Sequence, residues 1–120
     1  MSVRPEDLAA TLLRRHRREL AQHETRAAHL KAVLRDEVAL LVREGRIRRA
    51  WLIGSLAWGA IGLRSDVDVV VEGLAPEQAA LLWDRLGERL AAPVDLLRLE
   101  DLEPSFRDRV LAEGVRLDVS

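Results

Sequence analysis

Asp66 and Asp68 open the run Asp66-Val67-Asp68-Val69-Val70-Val71. In a β-strand this spacing turns both carboxylates to one face, with their α-carbons roughly 7 Å apart. Carboxylates held side by side repel each other, and a hard divalent cation with oxygen ligands relieves the repulsion, so the pair asks for Mg²⁺. Upstream, Gly54-Ser55 closes the apolar run Ala50-Trp51-Leu52-Ile53. A glycine lets backbone approach closely, and the serine beside it can donate hydrogen bonds to phosphate oxygens. Downstream, Asp95 is the second residue of the run Val94-Asp95-Leu96-Leu97. These are the parts of a metal-dependent nucleotidyl-transfer site.

Three strands must bring the parts together. Ile47 to Ile53, Asp66 to Glu72 and Val94 to Leu99 read as strands, and Val115 to Val119 as a short closing strand. Pro76 to Leu90 reads as a helix whose apolar face is Ala79, Ala80, Leu82, Trp83, Leu86 and Leu90, and Pro104 to Glu113 as a second helix stopped by Gly114. A helix between the second and third strands makes them parallel, with their beginnings at one end of the sheet. The first strand then runs antiparallel to the second and delivers Gly54-Ser55 to that end. Asp66, Asp68 and Asp95 arrive there too, with Val67, Val69 and Val71 turned the other way into a core.

Ahead of the strands, Pro5-Glu6-Asp7 starts a helix that meets no glycine or proline before Gly45, its expected C-cap. At 1.5 Å per residue it would span on the order of 60 Å, more than so small a domain can cover. The chain therefore divides into a long N-terminal helix, 1–45, for packing and association, and a domain at 46–120. Ala27, Leu30, Val33, Leu34, Val38 and Leu41 give the second half of the helix a broad apolar face, whereas Leu8, Leu12, Leu13 and Leu20 give the first half a thinner stripe. Leu13, Leu20, Ala27, Leu34 and Leu41 recur every seven residues, spacing that suits a partner helix, with His16, His23 and Glu37 at the alternate positions.

Composition limits the alternatives. The 120 residues carry 19 basic and 20 acidic side chains, a balance that points neither to a nucleic-acid coat nor to an acidic tail. With no cysteine there is no disulfide frame and no thiolate metal site. The start lacks the apolar stretch of a signal peptide, and no segment approaches the roughly 20 apolar residues of a membrane helix, so a soluble cytoplasmic protein is expected. Arg14-Arg15-His16-Arg17-Arg18, interleaved with acids and free of aromatics, reads as a solvated helix face more readily than as a nucleic-acid patch. His16, His23 and His29 are seven and six residues apart, so no two form a chelate on neighbouring turns.

Gly54, Ser55, Gly59, Ser65, Asp66, Asp68 and Asp95, in that order, resemble the signature of the polymerase-β-type nucleotidyltransferase superfamily, in particular its minimal nucleotidyltransferase branch. The resemblance runs from Ala50 to Ser120 and includes the ending Glu113-Gly114-Val115-Arg116-Leu117. It implies an α/β (α+β) palm-like fold: a small mixed sheet of three or four strands covered by helices. It also implies transfer of AMP from ATP to a hydroxyl of a macromolecular acceptor, with two Mg²⁺ ions bridged by Asp66 and Asp68. Asp95 would complete the second metal site and help deprotonate the acceptor, while Gly54, Ser55, Gly59 and Ser65 would hold the triphosphate.

One position departs from the pattern. Trp58 stands where the family commonly has a basic residue before the loop glycine, and Arg64 is the cation that could replace it. As an aromatic in a glycine-containing loop, with Gly62 also present, Trp58 reads as a packing anchor more readily than as a base-stacking residue. Many minimal nucleotidyltransferases act as antitoxins beside a helical toxin of the HEPN ribonuclease class, so such a toxin is the implied protein partner. The rival reading is a non-catalytic protein of the same fold that neutralises a partner by contact alone.

Overall fold

The computed structural model describes residues 4–54 and 67–119. It is an α+β architecture: α1 (Pro5–Arg43), β1 (Arg49–Ile53), β2 (Val67–Glu72), a 3₁₀ turn (Pro76–Gln78), α2 (Ala79–Leu90), β3 (Val94–Arg98), a 3₁₀ turn (Leu99–Asp101), α3 (Pro104–Glu113) and β4 (Val115–Arg116). The chain forms two compact units, residues 1–31 and residues 32–120. That division falls inside α1, whereas a division at 45/46 follows the end of the helix.

α1 ends as the sequence predicts. Gly45 takes φ +72°, a left-handed conformation that glycine adopts without steric cost. Its N–H donates to the Val42 carbonyl at 3.0 Å and the Arg46 N–H to the Leu41 carbonyl at 3.0 Å, which together satisfy the last carbonyls of the helix in a Schellman motif.

In the second unit the four strands lie in the order β3-β2-β1-β4. β1 pairs antiparallel with β2, Arg49 opposite Glu72 and Ile53 opposite Asp68. β2 pairs parallel with β3, Val67 beside Val94 and Asp68 beside Asp95. β4 is shorter than the closing strand read from the sequence, two residues pairing antiparallel with β1. Likewise β1 begins at Arg49 rather than Ile47, and Leu99 belongs to the 3₁₀ turn after β3.

Both faces of the sheet are covered. Val67, Val69 and Val71 are buried on one face, as the period of two requires. Val70, on the face shared with Asp68, is buried as well, because it packs with Trp51, Ile53, Leu99 and Val110 beneath Leu97, Leu102 and Phe106. Alternation along β2 therefore does not mark an open face. It sets the two polar residues of that face, Asp68 and Glu72, near the two ends of the strand.

The apolar face expected of α2 is narrower than its sequence implies. Leu82, Leu86 and Leu90 are buried, whereas Ala80 and Trp83 are exposed. The heptad stripe of α1 is likewise divided in use. Leu34 and Leu41 are buried in the second unit, whereas Leu13 and Leu20 are exposed in the first. Glu37 is buried among these apolar residues, with Arg85 Nε at 3.2 Å and Arg89 Nε at 3.5 Å, both from α2. A buried carboxylate is tolerated only with such partners.

Candidate active site

β1 delivers Ile53 and then Gly54 to the end of the sheet where β2 begins, with Ile53 directly across from Asp68. Gly54 has φ +77°, where a β-carbon would be strained, so the chain's exit from β1 at this point depends on glycine. On the other side of β2, Asp95 is the register partner of Asp68. Register partners of a parallel pair turn their side chains to the same face, and neighbouring strands lie about 4.8 Å apart, so the two carboxylates stand side by side. The Val67 N–H donates to the Pro93 carbonyl at 3.2 Å, which extends the pairing one residue past β3 and fixes this register where it matters. Both aspartates are half-buried.

Of the residues expected at the site, Gly54, Asp68 and Asp95 are therefore brought to one end of the sheet from three separate segments. Ser55, Trp58, Gly59, Gly62, Arg64, Ser65 and Asp66 lie outside the described residues. Among the described residues no group of three or more His, Cys, Asp or Glu is placed to hold a metal ion. The third carboxylate of the expected set, Asp66, is not among them. The donors the fold does assemble are carboxylate oxygens on adjacent strands, and hard oxygen donors suit Mg²⁺. The donor set fits the cation expected from the sequence.

The same face carries a second polar array at the opposite end of the strands, which sequence reasoning missed. Arg49 forms a bidentate pair with Glu72, its cross-strand neighbour, Nε to Oε1 at 2.7 Å and Nη2 to Oε2 at 2.8 Å. Arg116 forms a second bidentate pair with Asp118, at 2.8 Å and 2.6 Å. The two guanidinium groups lie 5.0 Å and 5.6 Å from the centroid of buried Trp51, within cation–π range. The Arg49 hydrogen bonds hold the Glu72 carboxyl below the ordinary carboxylate range. The Arg116 bonds, with the Ala50 N–H donating to Oδ1, do the same for Asp118. A local signal existed in Arg116-Leu117-Asp118, but the Arg49–Glu72 pair depends on register.

This array is spent on itself. Each cation is neutralised by a carboxylate in fork geometry, so it serves to pin β4 and the C-terminal segment to the sheet. It sits at the end of the sheet away from Asp68 and Asp95.

Gly114 joins the array to the core. A β-carbon there would lie 2.6 Å from the Val110 carbonyl oxygen and 3.1 Å from Trp51 Cβ. The glycine in Glu113-Gly114-Val115 is thus required by the close approach of the α3–β4 turn to Trp51.

Comparison with known proteins agrees with this architecture. The family described as "Polymerase beta, Nucleotidyltransferase" matches residues 36–118, which takes in the last turns of α1 as well as the sheet. The "Putative protein adenylyltransferase MJ0435" of Methanocaldococcus jannaschii is 30% identical over 90 residues, covering 72% of this chain and 96% of that protein. A solved structure described as a "putative minimal nucleotidyltransferase" is 33% identical and superposes with a TM-score of 0.56, covering 77% of this chain and 92% of that one.

Proposed function

The chain belongs to the polymerase β nucleotidyltransferase family and is a nucleotidyltransferase of minimal type; from that premise we propose that it transfers AMP from ATP, with Mg²⁺, to a hydroxyl on a protein. The observation that carries the proposal is the registration of Asp68 with Asp95 on adjacent parallel strands, beside the exit of β1 at Gly54. Protein as the acceptor is supported by the name of the archaeal relative, "Putative protein adenylyltransferase MJ0435", which this chain covers almost end to end.

The roles follow from chemistry. Asp68, with Asp66, holds divalent cations, and Asp95 completes the set. When bound, the cations neutralise triphosphate charge and lower the pKa of the attacking hydroxyl. Asp95 accepts the hydroxyl proton as the oxygen attacks the α-phosphorus. The new bond joins that oxygen to AMP, and the bond that breaks releases pyrophosphate. Gly54 keeps bulk away from the triphosphate, Ser55 donates to its terminal oxygens, and Gly59, Arg64 and Ser65 complete the phosphate cradle.

Incubation of the full chain with α-labelled ATP, Mg²⁺ and a cell extract tests this reading. Label should transfer to a protein band with the native chain and not with Asp68→Asn. Absence of transfer, together with unchanged triphosphate binding by Asp68→Asn, would place the chemistry elsewhere.

A second reading is favoured by one observation. Leu8, Leu12, Leu13 and Leu20 are about half exposed along the helix of the first unit, a surface a helical partner would cover. Under this reading the chain neutralises a HEPN-class toxin by contact, and the partner's inhibition survives Asp68→Asn but fails when the four leucines are changed to serine. Self-association of the chain through this stripe is the competing use of the same surface, and light scattering separates the two.

A further inference from the structure

Trp83 is the largest apolar residue of α2, yet it is 41% exposed, so packing alone does not account for it. Its indole N–H donates to the main-chain carbonyl of Val94. That carbonyl belongs to the peptide group joining Val94 to Asp95.

β3 is the outermost strand on its side of the sheet. Its inner edge is held by β2, where the Val67 N–H donates to the Pro93 carbonyl. Successive carbonyls of a strand point to alternate edges, so the Val94 carbonyl faces away from β2. On an edge strand such a group would be left to water and the strand's beginning would fray. The indole closes that position. The peptide plane ahead of Asp95 is thereby fixed from the outer edge by Trp83, while the neighbouring peptide is fixed from the inner edge by β2.

We propose that Trp83 is a positioning residue for Asp95: its indole N–H orients the Val94–Asp95 peptide, and through it the carboxylate that stands beside Asp68. This rests on the assignment of Asp95 to the metal set. Carboxylates that share a cation must be held within a few tenths of an ångström, and groups that orient ligands affect metal affinity without touching the metal. The effect is expected to be modest, since only one hydrogen bond is removed and the strand pairing remains.

The experiment measures Mn²⁺ affinity by calorimetry on the full chain saturated with a non-hydrolysable ATP analogue. Four proteins are compared: the native chain, Trp83→Phe, Asp95→Asn, and the double variant. Trp83→Phe should weaken Mn²⁺ binding about three- to tenfold, the loss of one hydrogen bond's worth of orientation. In the Asp95→Asn background the same substitution should have no further effect, which a general loss of stability would not reproduce. If Trp83→Phe loses the fold, position 83 is loaded with β-(3-benzothienyl)alanine, which keeps the bicyclic ring and lacks the N–H. Unchanged affinity on loss of the N–H, while Asp95→Asn weakens binding, overturns the positioning role alone. An equal loss in the Asp95→Asn background overturns it too. Unchanged affinity in Asp95→Asn itself overturns the metal assignment beneath it.

Discussion

Asp68 of β2 and Asp95 of β3 are register partners in the parallel pair, so two carboxylates that are 27 residues apart in the chain share one face at one end of the sheet. Like charges so close favour a bound cation. Calorimetry should therefore show triphosphate binding that requires Mg²⁺ or Mn²⁺ and that disappears in Asp66→Asn/Asp68→Asn. Equal binding by the double variant would remove the site from these strands.

Gly54 leaves β1 at φ +77°. A β-branched residue there forces the backbone out of the left-handed region, which shifts the start of the following loop. Gly54→Val should accordingly reduce triphosphate affinity more than Ser55→Ala, for which about 1–2 kcal/mol is expected, the range for a hydrogen bond to a charged group. A harmless Gly54→Val beside a crippling Ser55→Ala would contradict this geometry.

At Gly114 the constraint is contact rather than dihedral angle. The backbone is in an ordinary extended conformation, but an added β-carbon would lie 2.6 Å from the Val110 carbonyl and 3.1 Å from Trp51 Cβ. Gly114→Ala should destabilise the fold by about 1–3 kcal/mol, the usual cost of overpacking. Urea unfolding of the two proteins is the check, with a shifted midpoint and an unchanged slope as the expected pattern.

Glu72 and Asp118 have carboxyls held below their ordinary range by Arg49 and Arg116. A depressed folded-state value contributes stability that is complete above the unfolded-state pKa, about 4, and is lost as pH falls through the folded-state value. Acid unfolding should thus steepen below about pH 4. Glu72→Gln should flatten that limb and lower stability at neutral pH, where the partner Arg49 loses its ion pair. A variant whose acid limb superposes on the native one would show that the pair carries no linkage.

The convergence of Gly54, Asp68 and Asp95 on one end of the sheet was legible in the sequence because the steps to it were local. A period of two puts Asp68 on the face opposite Val67, Val69 and Val71. An apolar run ending in Gly54 and a helix between two β-type runs then fix which strand ends meet. Gly45 was legible as a helix stop for the same reason, since the cap needs only its own backbone conformation. Asp95 was legible only as arriving at the same end of the sheet; its registration with Asp68, to the residue, was set by the strand pairing.

What the tertiary structure alone decided lies across strands and between helices. Sequence showed Glu37 as a flaw in a heptad, but folding buries it against Arg85 and Arg89 of another helix, because a carboxylate leaving water must find cations wherever the packing brings them. Val70, on the face it shares with Asp68, is buried because α3 folds back over that face. Trp83 reads as core and is half exposed because its N–H is drawn to an edge-strand carbonyl. The residues themselves determined which strands form and which ends carry the carboxylates, since backbone periodicity and chain connectivity are written in the order of residues. Which side chain meets which partner was left to the packing, because those contacts join segments whose separation along the chain carries no local pattern.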